Sequence, residues 1–313
     1  MDKLNKKAVV FTFITVILLF VLIIAFLVNI NNRSNTKIQT ANVKVETLNS
    51  FVKNLNSSLI PDAIRASANQ AMISLFDYES NQSTYIVAPD TLEDYFTQTM
   101  RDGSYKGVQQ DDMYQGGLDF TIGSTLNEIK DLAEQQGAIF THSPMNFGTL
   151  TITQEDPWHV KIRLRLSYTL TDVKNEIIWN IVDREIISIL DVEDYRDPVY
   201  LVQAETKKSI NIKKTSYNNF VNINDFNDHV QNIYFRANED APNFLERLQG
   251  KFIGTSLYGI ESVLDPAIYL NGNGYSNVDH LFFTQVPGAC VQGMPSNFKL
   301  DDSHLNYYDR IRC

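Results

Sequence analysis

The run from Ala8 to Ile30 constrains this chain more than any other feature of its sequence. The segment reads AVVFTFITVILLFVLIIAFLVNI and contains no charged residue. A helix of this length, rising about 1.5 Å per residue, spans the roughly 30 Å hydrocarbon core of a bilayer. The sequence therefore predicts a transmembrane helix over residues 9–30, with the lipid bilayer as a partner.

The charges around this run predict its orientation. Lys3, Lys6 and Lys7 precede it, and lysines next to the start of an apolar helix resist translocation. Residues 1–8 are then a cytoplasmic tail, and the rest of the chain lies outside the cytoplasm of a single-pass membrane protein. A cleaved secretory signal is the alternative, but such signals have shorter apolar regions and a small-x-small cleavage site. An uncleaved signal anchor is favoured.

Composition limits the partners of this chain. It is 43% hydrophobic and 20% charged, with a net charge of −10. An acidic protein lacks the lysine and arginine excess that releases counterions from nucleic acid, so no nucleic acid partner is expected.

The two cysteines of the chain, Cys290 and Cys313, lie in a turn-rich tail. Outside the cytoplasm they are candidates for a disulfide; two unpaired thiols are the alternative.

Residues 31–76 are predicted to form a helical stalk. Apolar or small residues recur there at spacings of three and four, as in a coiled coil, and Pro61 interrupts the series. Two consecutive helices, or one kinked helix, are expected. The apolar stripe packs either on another copy of the chain or on the protein's own sheet. The stripe before Pro61 comprises Ile38, Ala41, Val45, Leu48, Val52, Leu55 and Leu59.

A change of period marks the start of a sheet. Apolar and polar residues alternate from Trp158 to Thr171, which is typical of a strand with one buried face. A turn at Asp172–Asn175 leads into Ile177–Leu190, so the pair is predicted to be an antiparallel hairpin. Leu150–Gln154 is a candidate third strand. Two helices are expected before the sheet, at Thr91–Met100 and from a Ser124 cap to Gln136.

These elements predict an α+β fold in which an N-terminal transmembrane helix and a helical stalk precede an ectodomain with an antiparallel β-sheet. Residues 77–200 form the α+β part with the hairpin. Residues 201–313 form a turn-rich C-terminal region, stapled by the candidate disulfide.

No catalytic, cofactor-binding or metal-binding motif is evident. The chain lacks a GxSxG elbow and a GxxxxGK[ST] loop, and its histidines show no spacing typical of a helical zinc site. Two acidic groups are nevertheless candidates for chemistry, although turn formation and solvation also explain them. The first is Asp191, Glu193, Asp194 and Asp197; the second is Asp279, Asp301 and Asp302, which flank His280 and His304.

The N-terminus resembles the class III signal peptide of archaeal type IV pilins. Lys6, Lys7 and Ala8 are followed at once by VVFTFITVILLF, which places processing between Ala8 and Val9, with Lys7 and Ala8 as the signal-processing residues. The resemblance implies that the apolar segment is the core helix of a filament, with an antiparallel sheet packed on its outer half. The stretches FLERLQG, YGIES, VDHLFF and LDDSHLNYY are similar to those of pilin-like archaeal surface proteins.

The expected function is that of a non-enzymatic, membrane-anchored surface protein, which is structural, binds a partner or assembles as pilins do. Other copies of the chain and surface or pilus components are the expected partners, and no cofactor is expected. The alternative is a membrane-tethered hydrolase with an acidic, metal-assisted site.

Overall fold

A computed structural model of the chain describes residues 42–88, 90–144, 149–174, 176–203, 210–265 and 274–313. Within these ranges the fold is α+β and its sheets are antiparallel, as predicted. The predicted tail 1–8, with Lys7 and Ala8, and the predicted transmembrane segment 9–30 lie outside the described residues.

Helices and strands follow one another in an irregular order. In chain order they are α1 Ile60–Gln82, α2 Leu92–Asp102, β1 Ser104–Tyr105, β2 Val108–Gln109, α3 Ile122–Gln135, β3 Ala138–His142, β4 Leu150–Asp156, β5 His159–Asp172, β6 Ile178–Asp191, α4 Pro198–Gln203, α5 Ile223–Gln231, β7 Phe235–Ala237, α6 Phe244–Arg247, β8 Ile260–Ser262, α7 Asp279–Phe283, β9 Ala289–Cys290, β10 Lys299–Leu300 and α8 Asp302–Tyr307.

The prediction of a membrane-spanning fold is corrected. In the described ranges, no helix combines the length and the apolar composition that crossing a bilayer requires. The longest, α1, has 23 residues but carries Asp62, Arg65, Asp77 and Glu79. This finding contradicts the predicted fold class with its transmembrane helix, and with it the signal anchor and the single-pass membrane localisation.

The region predicted as a stalk is helical wherever it is described. Residues 42–54 are helical, Leu55–Leu59 form a π-helical turn, and α1 follows directly. Pro61, which interrupts the sequence pattern, occupies the first turn of α1. Because proline has no N–H to donate, the widened turn before it accommodates the missing hydrogen bond without ending the helix.

The apolar stripe of this helix packs on the protein's own sheet. Leu48, Leu55 and Ile64 are buried in the core that also contains the inner face of β5. Two polar contacts fix the helix to the sheet: Trp179 Nε1 donates to Asn49 Oδ1 at 2.8 Å, and Tyr168 Oη donates to Asn56 Oδ1 at 2.8 Å. Of the two arrangements left open by the sequence, packing on the sheet is therefore the observed one.

The main sheet confirms the predicted hairpin and third strand. β5 is central and pairs with β6 on one side; on the other side β3 and β4 pair with opposite ends of β5. The inner face of β5 is buried from Val160 to Leu170, as the alternation predicts. The register between β5 and β6 shifts opposite Ser167, where Asp183 has a left-handed backbone, with φ 47°. β6 therefore contains a bulge at this point.

Both predicted helices before the sheet are present, with one difference at a cap. Thr91 caps α2 by accepting from the N–H of Asp94. The second helix, α3, is capped by Thr121 and not by Ser124: the Thr121 hydroxyl accepts from the N–H of Ser124. The helix therefore begins at Ile122, because Ile122 is apolar and packs inward while Thr121 has the extended backbone that a cap requires.

The C-terminal region combines short strands and helices around a second apolar cluster. Its largest members are Phe220, Phe226, Phe298 and Tyr308. The region also contributes Phe235, Phe244 and Ile260 to the main core, so it takes part in both cores. The predicted division at residue 200 stays a prediction.

Candidate functional site

A groove of about 940 Å³ lies between α1 and the C-terminal end of β6. The turn after β6 and one residue of the next segment complete its wall. Its lining residues are Asp62, Arg65, Ala66, Asn69, Ile73, Phe76, Ile189, Leu190, Asp191, Glu193, Asp194, Tyr195, Arg196 and Asn211. A concave site of this size is large enough for a small ligand or a short peptide segment.

The helical wall presents polar side chains at regular spacing. Asp62, Arg65 and Asn69 are separated by three and four positions, so they lie on one face of α1. The opposite face, with Ile64, Ala68 and Ala71, is buried in the core. Ser58 Oγ donates to Asp62 Oδ2 at 2.8 Å, which orients that carboxylate.

The other wall is the turn that ends β6. The N–H of Glu193 donates to Asp191 Oδ1 at 2.9 Å, and Asp194 has a left-handed backbone, with φ 69°. The N–H of Asp194 donates to the carbonyl of Ile212 at 2.8 Å. These bonds hold the three exposed carboxylates of the turn along one rim of the groove.

Aromatic rings and a guanidinium form the base of the groove. The rings of Phe76 and Tyr195 have centroids 5.6 Å apart, and Tyr195 Oη donates to Asn69 Oδ1 at 2.5 Å. Burial, followed by the charge of Asp191, raises the pKa of Tyr195 well above its usual value, so the phenol stays a donor. Arg196 lies 6.0 Å from the Phe76 ring and donates to Asp77 Oδ1 at 2.7 Å.

The first predicted acidic group is divided by the structure. Asp191, Glu193 and Asp194 meet at the groove, whereas Asp197 points into the core and pairs with Arg247. Sequence reasoning missed Asp62, Arg65 and Asn69, the residues of the helical wall. Their only signal was a polar face opposite the apolar stripe, which any solvated helix shows.

The second predicted acidic group is mostly buried and belongs to a different network. Asp279 accepts from Arg247 Nη2 at 2.6 Å and from Ser262 Oγ at 2.8 Å. His304 lies between Glu261, at 3.0 Å, and Asp301, at 2.8 Å. Asp302 is exposed and stands apart, 3.9 Å from Arg312.

Four side chains of this network are buried. Asp279, His280, Glu261 and Arg247 have at most 1% of their surface exposed. The Ser262 hydroxyl donates to Asp279, so it is not activated by a histidine base. The arrangement stabilises the contact between β8, α7 and α8.

The predicted disulfide is corrected. Cys290 and Cys313 are free thiols. They are neighbours, since the N–H of Cys313 donates to the Cys290 carbonyl at 3.3 Å. A hydrogen bond between the two thiols lowers the pKa of Cys290 and raises that of Cys313. The thiols thus interact by hydrogen bonding, whereas a disulfide requires the two sulfur atoms to be about 2 Å apart.

The described ranges contain no preformed metal site. No group of three or more His, Cys, Asp or Glu side chains in these ranges is placed to hold a metal ion. The acidic rim of the groove therefore offers charge and hydrogen-bond acceptors without a preformed coordination shell.

Comparison with known proteins gives no relative: no protein-family model, no curated protein and no solved structure matches this chain. The resemblance to archaeal type IV pilins stays a prediction.

Proposed function

We propose that this protein is a non-enzymatic binding protein and that the groove between α1 and the end of β6 is its ligand-binding surface. Of the three roles expected from the sequence, namely a structural role, partner binding and pilin-like assembly, the proposal takes partner binding. The observation that carries the proposal is a large groove with an apolar base and a charged rim held in place by backbone hydrogen bonds. The hydrolase alternative and a pilin-like assembly role stay predictions.

The charges of the groove favour a cationic ligand. Four carboxylates line it, from Asp62, Asp191, Glu193 and Asp194, against the guanidiniums of Arg65 and Arg196. Arg196 is already paired with Asp77, so the other charged side chains of the groove have a negative net charge. Ile73, Phe76 and Leu190 offer an apolar base. A short peptide that alternates basic and apolar side chains matches both features.

The test uses the full chain and two labelled peptides, one of alternating lysine and leucine and one of alternating glutamate and leucine. Fluorescence anisotropy measures binding at low and high salt. The lysine peptide is expected to bind, and the double variant Glu193→Gln/Asp194→Asn to weaken binding about tenfold at low salt, because two rim charges are lost. Asp194→Asn retains a residue that tolerates the left-handed backbone.

A matched variant separates the groove from the overall acidity of the protein. Glu128→Gln/Asp131→Asn removes the same charge from the exposed face of α3 and is expected to change binding less than about twofold. Equal effects of the two double variants, or equal binding of the two peptides, would show that the groove is not the binding surface.

A further inference from the structure

Cys290 is the middle member of a small antiparallel ladder. β9 pairs with β10, and Lys299 of β10 is directly opposite Cys290. Val291 forms an antiparallel bridge with Arg312, and the N–H of Cys313 donates to the Cys290 carbonyl at 3.3 Å. In this register Cys313 is directly opposite Cys290 as well.

The two neighbours lie on the same face as the Cys290 thiol, because directly opposed residues project their side chains to one side of a ladder. The Lys299 N–H donates to Asn277 Oδ1, and the Lys299 carbonyl accepts from the Asn277 N–H, both at 2.8 Å. Lys299 and Cys290 therefore form a pair without backbone hydrogen bonds, the kind with the shorter Cα separation, about 4.5 Å. The Lys299 ammonium and the Cys313 thiol both act on the Cys290 thiol.

The face that carries the two thiols is open to solvent. Val291, the next residue after Cys290, is buried, with 1% of its surface exposed. Successive residues of an extended segment point to opposite faces, so the Cys290 side chain points away from the core. Cys290 is partly buried and Cys313 is exposed. A small reagent can therefore reach both sulfur atoms.

The surroundings of Cys290 favour its thiolate. A hydrogen bond from the Cys313 thiol, with the Cys313 N–H and the charge of Lys299, lowers the pKa of Cys290, although burial opposes this change. The hydrogen bond between the thiols raises the pKa of Cys313. The larger thiolate fraction at neutral pH is therefore at Cys290, and the thiolate is the nucleophilic form of cysteine.

We propose that Cys290 is a site of covalent modification by small electrophiles that carry a leaving group on carbon, and that Cys313 and Lys299 position and stabilise its thiolate. The Cys290 thiol first releases its proton to solvent. An electron pair of Sγ then forms a C–S bond to the electrophilic carbon, and the leaving group departs with the electron pair of the broken bond. The product is a thioether, and Cys313 stays a thiol.

Exposure alone predicts the opposite order of reactivity. Cys313 is the more exposed of the two thiols, so a reaction limited by access modifies Cys313 first. The modification site also lies outside the groove between α1 and β6, because neither thiol lines that groove. The proposal therefore stands or fails independently of the proposed binding function.

Alkylation of the full chain with limiting iodoacetamide tests the order directly. The reaction is quenched at several times, and peptide mass spectrometry measures the alkylated fraction of each cysteine. At pH 7 Cys290 is expected to react at least about fivefold faster than Cys313, because the rate follows the thiolate fraction. Equal rates, or faster alkylation of Cys313, would overturn the proposal.

Cys313→Ala tests the hydrogen bond, since it removes the S–H donor and keeps the backbone N–H. The midpoint of the pH–rate profile of Cys290 is expected to move upward, and alkylation at pH 7 to slow by about threefold. At pH 10, where both forms of the protein carry mainly thiolate, the rates should be similar. An equal slowing at pH 7 and pH 10 would indicate a change in access and would contradict the role of Cys313.

Lys299→Met tests the charge at a similar side-chain length. It is expected to move the same midpoint upward, more at low salt than at high salt, and Lys299→Arg is expected to restore it. Lys130→Met, on the exposed face of α3, is the control and should leave the profile unchanged. Circular dichroism checks that each variant is folded. If neither Cys313→Ala nor Lys299→Met moves the midpoint, these residues do not stabilise the thiolate and the proposal is wrong.

Discussion

Arg247 and Asp279 form an ion pair in which neither side chain is exposed, with Arg247 Nη2 2.6 Å from Asp279 Oδ2. Arg247 Nε also donates to Asp197 Oδ1 at 3.2 Å, and Nη1 donates to the carbonyl of Ile260 at 3.1 Å. Burial opposes the charge of Arg247, but the two carboxylates outweigh it and raise the pKa of the guanidinium. One side chain thus joins the segment after the main sheet to β8 and α7.

Removing this guanidinium is expected to destabilise the whole fold. Arg247→Met leaves two buried carboxylates without their cation, a change that costs about 3–5 kcal/mol in the free energy of unfolding. Urea denaturation followed by circular dichroism measures the loss. Arg312→Met is the control, because that side chain is 67% exposed and its loss should cost less than about 0.5 kcal/mol. A loss below about 1 kcal/mol for Arg247→Met would contradict the structural role.

Glu79 is expected to make the protein less stable as the pH rises. Its side chain is fully buried on α1, and within the part of the chain that the structure describes neither carboxylate oxygen has a hydrogen-bond partner. Burial raises the pKa of Glu79 well above its ordinary value of 4.5, and the nearby N–H of Ile86 offsets only part of this. A raised folded-state pKa gives a contribution that is fully present below the unfolded pKa and is lost as the pH rises towards the folded value.

Glu79→Gln removes this dependence while keeping the shape of the side chain. At pH 8 the variant is expected to be more stable than the wild type by about 1–3 kcal/mol, and near pH 4 the two should be equal. Thermal unfolding at both pH values measures the difference, with the exposed Glu128→Gln as control. A constant difference across this range would show that Glu79 is not neutral in the folded protein.

Two of the buried histidines, His304 and His229, are expected to titrate at opposite ends of the pH scale. Burial alone would lower the pKa of His304, but hydrogen bonds to Asp301 and Glu261 outweigh it and raise the pKa to about 10. Burial, with the charge of Arg236, lowers the pKa of His229 to about 3. NMR titration of the imidazole protons distinguishes them, and a midpoint near 6.5 for either would contradict its assigned environment.

The charge on His304 contributes stability that depends on pH. Because its folded pKa is raised, the contribution is fully present below pH 6.5 and is lost as the pH rises through about 10. His304→Gln is therefore expected to cost more at pH 6, on the order of 2–3 kcal/mol, than at pH 10.5. Denaturant unfolding at the two pH values measures this. An equal cost at both would mean that packing, and not charge, makes His304 important.

The groove explains why the candidate site was only half predicted. Asp191, Glu193 and Asp194 are adjacent in the chain, so their proximity was visible in the sequence. Asp62, Arg65 and Asn69 face them only because the stripe on the other side of α1 packs on the sheet, which turns this polar face towards the end of β6. No local pattern relates a helix to a turn so distant in sequence.

Elements with a local sequence signal could be predicted from the chain alone. The alternation from Trp158 to Thr171 placed β5, because a strand with one buried face repeats every second residue. The three-and-four spacing around Leu48 and Leu55 placed the long helix for the same kind of reason. Three features depend on long-range packing and became evident only in the folded chain: this helix packs on its own sheet, Cys290 and Cys313 are free, and Arg247 is buried. From sequence alone, an arginine side chain is expected at the surface. Arg247 can be buried because folding brings Asp197 and Asp279 to it, and these carboxylates are distant in the chain.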